Sequence, residues 1–249
     1  MYPPHLSGLL NGNIKSLARC ISLVENEAPG YEALLEQLPA NSHTKVVGIT
    51  GPPGAGKSTL VNVLITQLLE QGKSVAIIAV DPSSPFNFGA LLGDRIRMSQ
   101  HFNHPRVFIR SMASRGALGG LSPKIIEVSD LIKAAAGFDY LFIETVGVGQ
   151  SEVEVAGVAD TTVVVVVPEA GDEIQTMKAG LMEIADIFIV NKADRDNADA
   201  FAKNLRLLAH SRQQGHWEIP VIKSVATQQA GIHEITAAIE MHHKAVSNR

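Results

Sequence analysis

Residues 45–58 read KVVGITGPPGAGKS, and this stretch decides the fold. Its first six residues are rich in β-branched side chains and predict a buried strand, whereas residues 57–72 have the apolar spacing of a helix. The segment between them, residues 51–58, matches the pattern G-x-x-x-x-G-K-[ST] in the strand-to-helix context that this pattern requires. The sequence therefore predicts a phosphate-binding loop; a glycine-rich turn that binds nothing is the alternative.

The residue types of this loop suit an anion. Glycines let backbone N–H groups turn inward, and the N-terminus of the following helix adds the positive end of its dipole. Lys57 supplies a charge to the β- and γ-phosphates of a nucleotide, and the Ser58 hydroxyl suits Mg²⁺. The predicted phosphate-contacting residues are Gly51, Gly54, Ala55, Gly56, Lys57, Ser58 and Thr59.

Short β-branched runs recur along the rest of the chain. They lie at residues 45–50, 74–81, 106–111, 140–145, 161–167, 187–192 and 221–226. Helix-length segments separate most of them, and a last helix is expected over about residues 231–246. Continuous apolar strands alternating with helices predict an α/β fold: a mostly parallel, doubly wound sheet of about seven strands, as in P-loop NTPases.

The first part of the chain has a different pattern. Residues 6–38 place apolar side chains at helical spacing, and EAPG at 27–30 divides them into two predicted short helices. The polar segment PANSHT at 39–44 reads as a connector. We therefore expect a short N-terminal helical extension over residues 1–42 and a P-loop domain over residues 43–249.

Acidic residues at strand ends are candidate Mg²⁺ ligands, because strand carboxyl ends open onto the crevice of a doubly wound sheet. Asp81 and Glu144 each end a predicted strand, and Asp94 follows in GALLGDRIRM. Asp81 has the alternative role of a helix cap, and Asp94 that of a surface acid or cap. Glu144 begins an acid-x-x-Gly pattern with Gly147, which resembles the γ-phosphate sensor of GTPases, so Lys57, Glu144 and Gly147 are the catalytic candidates.

A second motif, Asn191-Lys192-Ala193-Asp194, follows another strand roughly 130 residues after the loop. A carboxylate at Asp194 can accept both N1–H and N2–H₂ of guanine, which adenine cannot supply. Lys192 is expected along the purine face, and Asn191 is expected to tie loops together. The later segment Ser224-Val225-Ala226 suits the loop that packs on the base. These residues predict GTP and GDP as the nucleotides.

Composition limits the other partners. The chain carries 21 basic and 25 acidic residues for a net charge of −4, which disfavours nucleic acid as the main partner. Cys20 is the single cysteine, so an intramolecular disulfide is excluded and a reducing compartment fits. The beginning of the chain lacks the pattern of a secretory signal, and the most apolar run, 161–168, is too short to cross a bilayer. We expect a cytoplasmic protein with no membrane partner.

Four segments together resemble one family. They are GPPGAGKSTL (51–60), AVDPSSPFNFGALLGDRIRM (79–98), SRGALGGLS (114–122) and ETVGVGQSEVEVAGVAD (144–160). Over about residues 45–226 the chain resembles MeaB/ArgK-type GTPases of the SIMIBI class. That family chaperones adenosylcobalamin-dependent acyl-CoA mutases such as methylmalonyl-CoA mutase. The resemblance implies that GTP hydrolysis gates the loading of the cofactor and protects the mutase.

The resemblance also implies site roles. Lys57 and Ser58 become ligands of phosphate and Mg²⁺, with Asp81, Asp94 and Glu144 around the metal. The stretch PEAGDEIQTMKAG (168–180) resembles the family's additional switch, with Lys178 as a candidate relay to the mutase; a solvated helix residue is its alternative. Family members usually continue into a helical dimerisation arm, which the sequence to Arg249 lacks, so a homodimer is left open.

Residue 148 is a valine, where many GTPases carry a glutamine that positions water, so slow intrinsic hydrolysis is expected unless a partner completes the site. Gln150 is another candidate for orienting water. Arg95, Arg97 and Arg115 are candidates for approaching the phosphates, with surface arginines as the alternative.

Three rival functions remain at the level of sequence. A metallocentre-assembly GTPase that inserts nickel would need clustered thiolates or imidazoles, but Cys20 is alone and the pair His242-His243 reads as a solvated helix end. A small-molecule kinase would share the phosphate loop but have no use for NKAD. A nucleotide-switch adaptor without a mutase partner is the third.

Overall fold

A computed structural model describes residues 5–39, 43–81, 98–113, 121–135, 137–145, 151–168, 179–211 and 217–247. Several candidates from the sequence lie outside these ranges: Asp94, Arg95, Arg97, Arg115, Gly147, Val148, Gln150 and Lys178. Of Asp81, the structure describes the backbone. The roles predicted for these residues stay predictions.

The seven strands form one parallel sheet in the order β3-β2-β4-β1-β5-β6-β7. Their bounds are β1 Lys45–Thr50, β2 Val75–Asp81, β3 Val107–Ala113, β4 Tyr140–Glu144, β5 Thr161–Val166, β6 Ile187–Val190 and β7 Val221–Lys223. The predicted fold class, an α/β P-loop NTPase fold with about seven mostly parallel strands, is confirmed.

Helices connect the strands and precede the first one. They are α1 Leu6–Leu10, α2 Ile14–Glu25, α3 Tyr31–Leu35, α4 Lys57–Glu70, α5 Ile125–Ala134, α6 Ser151–Glu154, α7 Ala179–Ile184, α8 Ala198–Ser211 and α9 Ile232–Ser247. Short 3₁₀ turns lie at Ser99–His101, Val155–Gly157 and Ala226–Gln228. None of the helices in the described part of the chain is long and apolar enough to span a bilayer.

Helices cover both faces of the sheet, which explains the continuous apolar strands. Val47 and Ile49 of β1 pack on one face with α4 and α9. Val46, the neighbour of Val47, lies on the opposite face with α2 and α5, where α7 and α8 pack against β5 and β6. The alternation along β1 places α4, and with it the glycine-rich loop, directly over the central strand.

The N-terminal region forms three helices rather than the predicted two. The break lies at Gly12, which has a φ of +74°, between α1 and α2. Asn13 then caps α2, since its side-chain oxygen accepts a hydrogen bond from the Ser16 N–H at 3.0 Å. The apolar periodicity predicted α1 and α2 as one helix, because Leu6 and Leu9 are buried in the same core as Leu17.

These N-terminal helices share a core with the sheet. Leu17 and Ile21 of α2 are fully buried in one cluster with Val128 of α5 and Leu141 of β4. The helices therefore cover the face of the sheet beside α5. The proposed division at residues 42 and 43 stays a prediction, and residues 40–42 lie outside the described ranges.

The strand order brings the candidate segments together at the end of the sheet where the strands have their carboxyl ends. β1 lies between β4 and β5, and the carboxyl ends of all seven parallel strands point the same way. Ile49 of β1 is in register with Glu144, and Ala79 of β2 is in register with the same residue. Asp81 consequently lies two residues beyond that level, on the strand next to β4.

Candidate functional site

The glycine-rich loop makes a tight turn between β1 and α4. Gly51 has a φ of +136°, and a Cβ at this position would lie 2.0 Å from the carbonyl oxygen of Val165 in β5. Gly56 has a φ of +88°, and a Cβ there would lie 2.5 Å from Nδ2 of Asn191. The loop therefore fits against its neighbours only when these two residues are glycine.

The Lys57 ammonium lies within the curve of this loop. Its Nζ donates hydrogen bonds to the carbonyl oxygens of Gly51 at 2.7 Å and Pro52 at 3.0 Å. The residue is 6% exposed, so its charge acts in a medium of low polarity, where electrostatic attraction is stronger than in water. An anion held by the loop would lie next to a buried positive charge.

Ser58 and Glu144 meet beside this lysine. The Ser58 hydroxyl donates to Glu144 Oε1 at 2.5 Å, and the two residues are 6% and 4% exposed. The reason is register: Glu144 is paired with Ile49, whose side chain faces α4, so the carboxylate shares that face and reaches the first turn of α4. Residues 86 positions apart in the chain thus form one buried polar pair.

A second pair joins the ends of the same two strands. The Thr145 hydroxyl donates to the Thr50 hydroxyl at 3.1 Å, and the Thr145 N–H donates to the carbonyl oxygen of Ile49 at 3.0 Å. Both threonines are almost fully buried. The start of the acid-x-x-Gly segment is therefore fixed to the residue that precedes the phosphate loop.

Asn191 links the phosphate loop to the loop after β7. Its Nδ2 donates to the carbonyl oxygen of Ala55 at 2.9 Å. Its Oδ1 accepts from the Ser224 hydroxyl and from the Ala226 N–H, each at 3.2 Å. The amide is 2% exposed and thus spans three loops in the interior of the protein.

A pocket of about 200 Å³ lies beside this amide. It is lined by Gly56, Thr59, Asn191, Lys192, Asp194, Arg195, Val225, Ala226 and Thr227. Lys192 also spans toward the phosphate loop, since its Nζ donates to the carbonyl oxygen of Gly54 at 2.8 Å. The structure therefore brings the two sequence motifs together around one cavity, which adjoins the start of α4.

Two lining residues, Arg195 and Thr227, were not among the candidates from the sequence. Arg195 directly follows the NKAD motif, and Thr227 directly follows Ser224-Val225-Ala226. Extending each candidate segment by one residue would have found both. Their side-chain types carry no signal of their own.

The buried Ser58–Glu144 pair is the part of the site that fits Mg²⁺. A hydroxyl and a carboxylate are hard oxygen donors, which this ion prefers, and both stand beside the buried Lys57 where phosphates would be held. Over the described residues, no group of three or more His, Cys, Asp or Glu side chains is arranged to hold a metal by itself. The donor set suits an ion that also takes phosphate oxygens and water.

His242 differs from its predicted role as a solvated helix end. It is 4% exposed, its Nδ1 lies 2.8 Å from the Thr161 hydroxyl, and its Nε2 lies 3.2 Å from Asp186 Oδ1. The ring also packs edge-on against Trp217, with the centroids 4.8 Å apart. His242 therefore lies on the face of α9 that packs on the sheet, whereas its neighbour Met241 and the last residues of the helix are exposed.

Cys20 is also a core residue. It lies fully buried on α2, and burial raises the pKa of its thiol, which keeps it protonated and a poor metal ligand.

The site combines a phosphate loop, a buried serine–carboxylate pair and a pocket beside the NKAD motif, and similarity to known proteins agrees with it. Residues 17–249 match the family model described as methylmalonyl Co-A mutase-associated GTPase MeaB. The chain belongs to the MeaB family. The resemblance to MeaB/ArgK-type GTPases that the sequence indicated is confirmed, and the chain is a GTPase.

Members of the family are similar over most of the chain. A protein of Pyrococcus abyssi that is named as a GTPase is 51% identical over 94% of this chain and 73% of its own length. The GTPase ArgK of Escherichia coli is 41% identical over 93% of this chain and 72% of its own length. A solved structure titled LAO/AO transport system kinase superposes with a TM-score of 0.78 at 32% identity, over 98% of this chain and 75% of that one.

One relative is a much longer protein that is named as a fused mutase. The fused isobutyryl-CoA mutase of Geobacillus kaustophilus is 36% identical over 90% of this chain, and the match covers 22% of that protein. The family is thus associated with acyl-CoA mutases both by its description and by this fusion.

Proposed function

We propose that this MeaB-family GTPase binds GTP with Mg²⁺ and acts as a chaperone of an adenosylcobalamin-dependent acyl-CoA mutase, gating the loading of the cofactor and protecting the enzyme. The proposal of nucleotide binding rests on the buried side-chain amide of Asn191, which contacts both the phosphate loop and the rim of the base pocket. The mutase part rests on the family.

The triphosphate would lie in the loop between β1 and α4. Lys57 provides a buried positive charge there, and α4 presents the positive end of its dipole to the phosphates. Guanine would enter the pocket of about 200 Å³, with the Asp194 carboxylate accepting from its N1–H and N2–H₂. Gly56 of the loop and Thr59 of α4 line this same pocket.

Mg²⁺ would be held by Ser58, with Glu144, Asp81 and Asp94 around it. When bound, the ion supplies charge neutralisation for the phosphate oxygens. Glu144 is held in place for this role by its register with Ile49 and by the Ser58 hydroxyl. Both donors are buried, so few water molecules compete with the phosphates at this position.

Hydrolysis by such a site depends mainly on positioning and on charge. Lys57 stabilises the negative charge of the transferred phosphoryl group, and Gly147 would offer its N–H to that group. Residue 148 is a valine, where many GTPases carry a glutamine that positions the attacking water. We therefore propose that intrinsic hydrolysis is slow and that the mutase completes the site.

The coupling to a mutase is supported by the fused isobutyryl-CoA mutase, in which a region similar to this chain is part of the same polypeptide as the mutase. A fusion raises the effective concentration of two partners that act together. In this proposal the GTPase and the mutase form a complex between separate chains. The stretch 168–180 with Lys178 would relay the nucleotide state to the mutase.

The proposal is tested by measuring GTP turnover in mixtures. We expect methylmalonyl-CoA mutase or isobutyryl-CoA mutase to raise the rate of phosphate release by at least about tenfold, because a partner that completes a GTPase site adds transition-state stabilisation. Transfer of adenosylcobalamin to the mutase apoenzyme should be faster with GTP than with a non-hydrolysable analogue. An acyl-CoA enzyme without cobalamin serves as the control partner.

Two outcomes separate the parts of this proposal. GTP turnover that no cobalamin-dependent mutase changes, together with no complex by sedimentation, would remove the chaperone role and leave the GTPase. Ser58→Ala should abolish turnover in every mixture; a variant with unchanged turnover would contradict the assigned Mg²⁺ site.

A further inference from the structure

A second cavity lies away from the nucleotide site and is lined by residues of α2 and of the edge strand β3. Its volume is about 530 Å³, within the range of small-molecule sites, and it lies among residues before α1, along α2 and in β3. The lining residues are His5, Ala18, Arg19, Ser22, Leu23, Asn26, Ala28 and Arg110. None of them belongs to the phosphate loop or to the base pocket.

The charge of this cavity is one-sided. Two arginines and a histidine line it, and no acidic residue does. Glu25 accepts a hydrogen bond from Nη2 of Arg110; its side chain is 10% exposed and is not part of the cavity lining. The Glu25 carboxylate offsets the charge of Arg110, so Arg19 supplies the positive charge of the cavity that no carboxylate among the described residues pairs with.

The two arginines differ in the donors that they offer. Nη2 of Arg110 donates to Glu25, and Nε of Arg110 is buried without a hydrogen-bond partner among the described residues, so Arg110 contributes mainly its charge. Arg19 is exposed on α2 and takes part in no ion pair within the described ranges. Five lysines there (Lys45, Lys73, Lys124, Lys133 and Lys223) each pair with an acid.

The remaining lining residues indicate which other groups a ligand of this cavity would carry. Ala18, Leu23 and Ala28 give the cavity an apolar wall. The Ser22 hydroxyl donates to the carbonyl oxygen of Ala18 at 3.0 Å, so its oxygen is free to accept. A ligand that fits has a negative group for the arginines and a short apolar body for this wall.

We propose that this cavity, here called the α2–β3 pocket, binds a small molecule that carries a phosphate or carboxylate group on a short apolar body. Guanidinium groups bind both anions through paired N–H donors. The pocket is separate from the GTP site and does not depend on the proposed function. It would be a second ligand site, between α2 and the edge strand β3.

The test uses calorimetry with the intact chain and with excess GDP and Mg²⁺, which fill the phosphate loop. Phenyl phosphate and phenylacetate are the two anionic probes, and phenol and inorganic phosphate are probes of each half alone. We expect saturable binding of at least one anionic probe, tighter than either half. The tighter of the two anionic probes identifies the preferred anion.

The variant Arg19→Gln should weaken this binding by at least about tenfold, the loss expected for one charge-assisted hydrogen bond. Arg19 is exposed, so the variant should unfold at the same temperature as the wild type. Arg110 is less suitable, because its replacement would also remove the partner of the buried Glu25. Lys15→Gln is the matched control: Lys15 is exposed one turn earlier on α2 and outside the pocket lining.

No saturable heat with either anionic probe would overturn the proposal. So would equal losses in Arg19→Gln and Lys15→Gln, which would indicate general attraction by surface charge. Binding that GDP abolishes would place the probe in the phosphate loop instead. Retained binding in Lys15→Gln, together with the loss in Arg19→Gln, supports the α2–β3 pocket.

Discussion

Asn191 shows how much one buried side chain can organise. Its amide donates to Ala55 in the phosphate loop and accepts from Ser224 and Ala226 in the loop after β7. A buried amide that loses any of these partners leaves a polar group unsatisfied, at a cost of about 1–3 kcal/mol. The phosphate loop and the base pocket are therefore held at a fixed separation by the interior of the protein.

The charge at Asp194 is predicted to set the choice of base. Asp194→Asn should lower the affinity for GTP by at least about a hundredfold and raise that for XTP, because the amide donor would face the N1–H and N2–H₂ donors of guanine. Xanthine presents an oxygen at the position of the guanine amino group, so the amide can donate to it. Calorimetric titration of each nucleotide measures both changes.

The matched control for this prediction is Asp196→Asn. Asp196 is an exposed acid in the same loop that does not line the pocket. It should leave the affinity for GTP within about twofold, since an exposed charge at this distance is well screened. Unchanged GTP affinity in Asp194→Asn would remove the base-reading role.

At the scale of elements, β1, the glycine-rich turn and α4 form one closely packed unit that tolerates few substitutions. Gly51→Ala would place a Cβ 2.0 Å from the Val165 carbonyl oxygen, at a φ of +136° that L-residues avoid. We expect the free energy of unfolding to fall by at least about 3 kcal/mol and nucleotide binding to be lost. Urea unfolding and GDP titration measure these effects.

Gly54→Ala is the control within the same turn. Gly54 also has a positive φ, +77°, but apart from its chain neighbours no atom of the described residues lies within 4 Å of an added Cβ. Its cost should be about 1 kcal/mol, that of the left-handed backbone alone. Equal destabilisation by both variants would show that the backbone conformation, and not the contact with β5, restricts position 51.

At the scale of the whole molecule, the sequence predicted those features that depend on residues close together in the chain. The β-branched runs marked β1 and β5 because strands buried on both faces need continuous apolar residues. The burial of His242 escaped prediction, since Thr161 and Asp186 reach it from other elements. The pairing of Ser58 with Glu144 also rests on strand register, which no single segment of sequence encodes.

Glu240 joins α9 to the amino ends of β1 and β4, away from the nucleotide site. Glu240 of this helix accepts a hydrogen bond from Lys45 Nζ at 2.6 Å and another from the Tyr140 hydroxyl. Burial alone would raise the pKa of Glu240, but the hydrogen bonds from Lys45 and Tyr140 outweigh it and hold the pKa below its usual value. Burial, together with the Glu240 carboxylate, raises the pKa of Tyr140, which keeps this phenol a donor.

The lowered pKa of Glu240 predicts how the free energy of unfolding depends on pH. A carboxyl group whose pKa is lower in the folded state contributes stability above the unfolded value of about 4.3 and loses it as the pH falls below that value. Glu240→Gln keeps an acceptor oxygen but removes the charge, so the free energy of unfolding should fall by about 1 kcal/mol at pH 7. The difference from the wild type should shrink as both are taken toward pH 3, because the wild-type carboxylate becomes protonated. Urea unfolding across this range measures it, with Glu218→Gln, an exposed acid outside α9, as the control. A deficit that stays constant down to pH 3, or one that Glu218→Gln shares, would show that α9 is held to β1 and β4 by its apolar face alone.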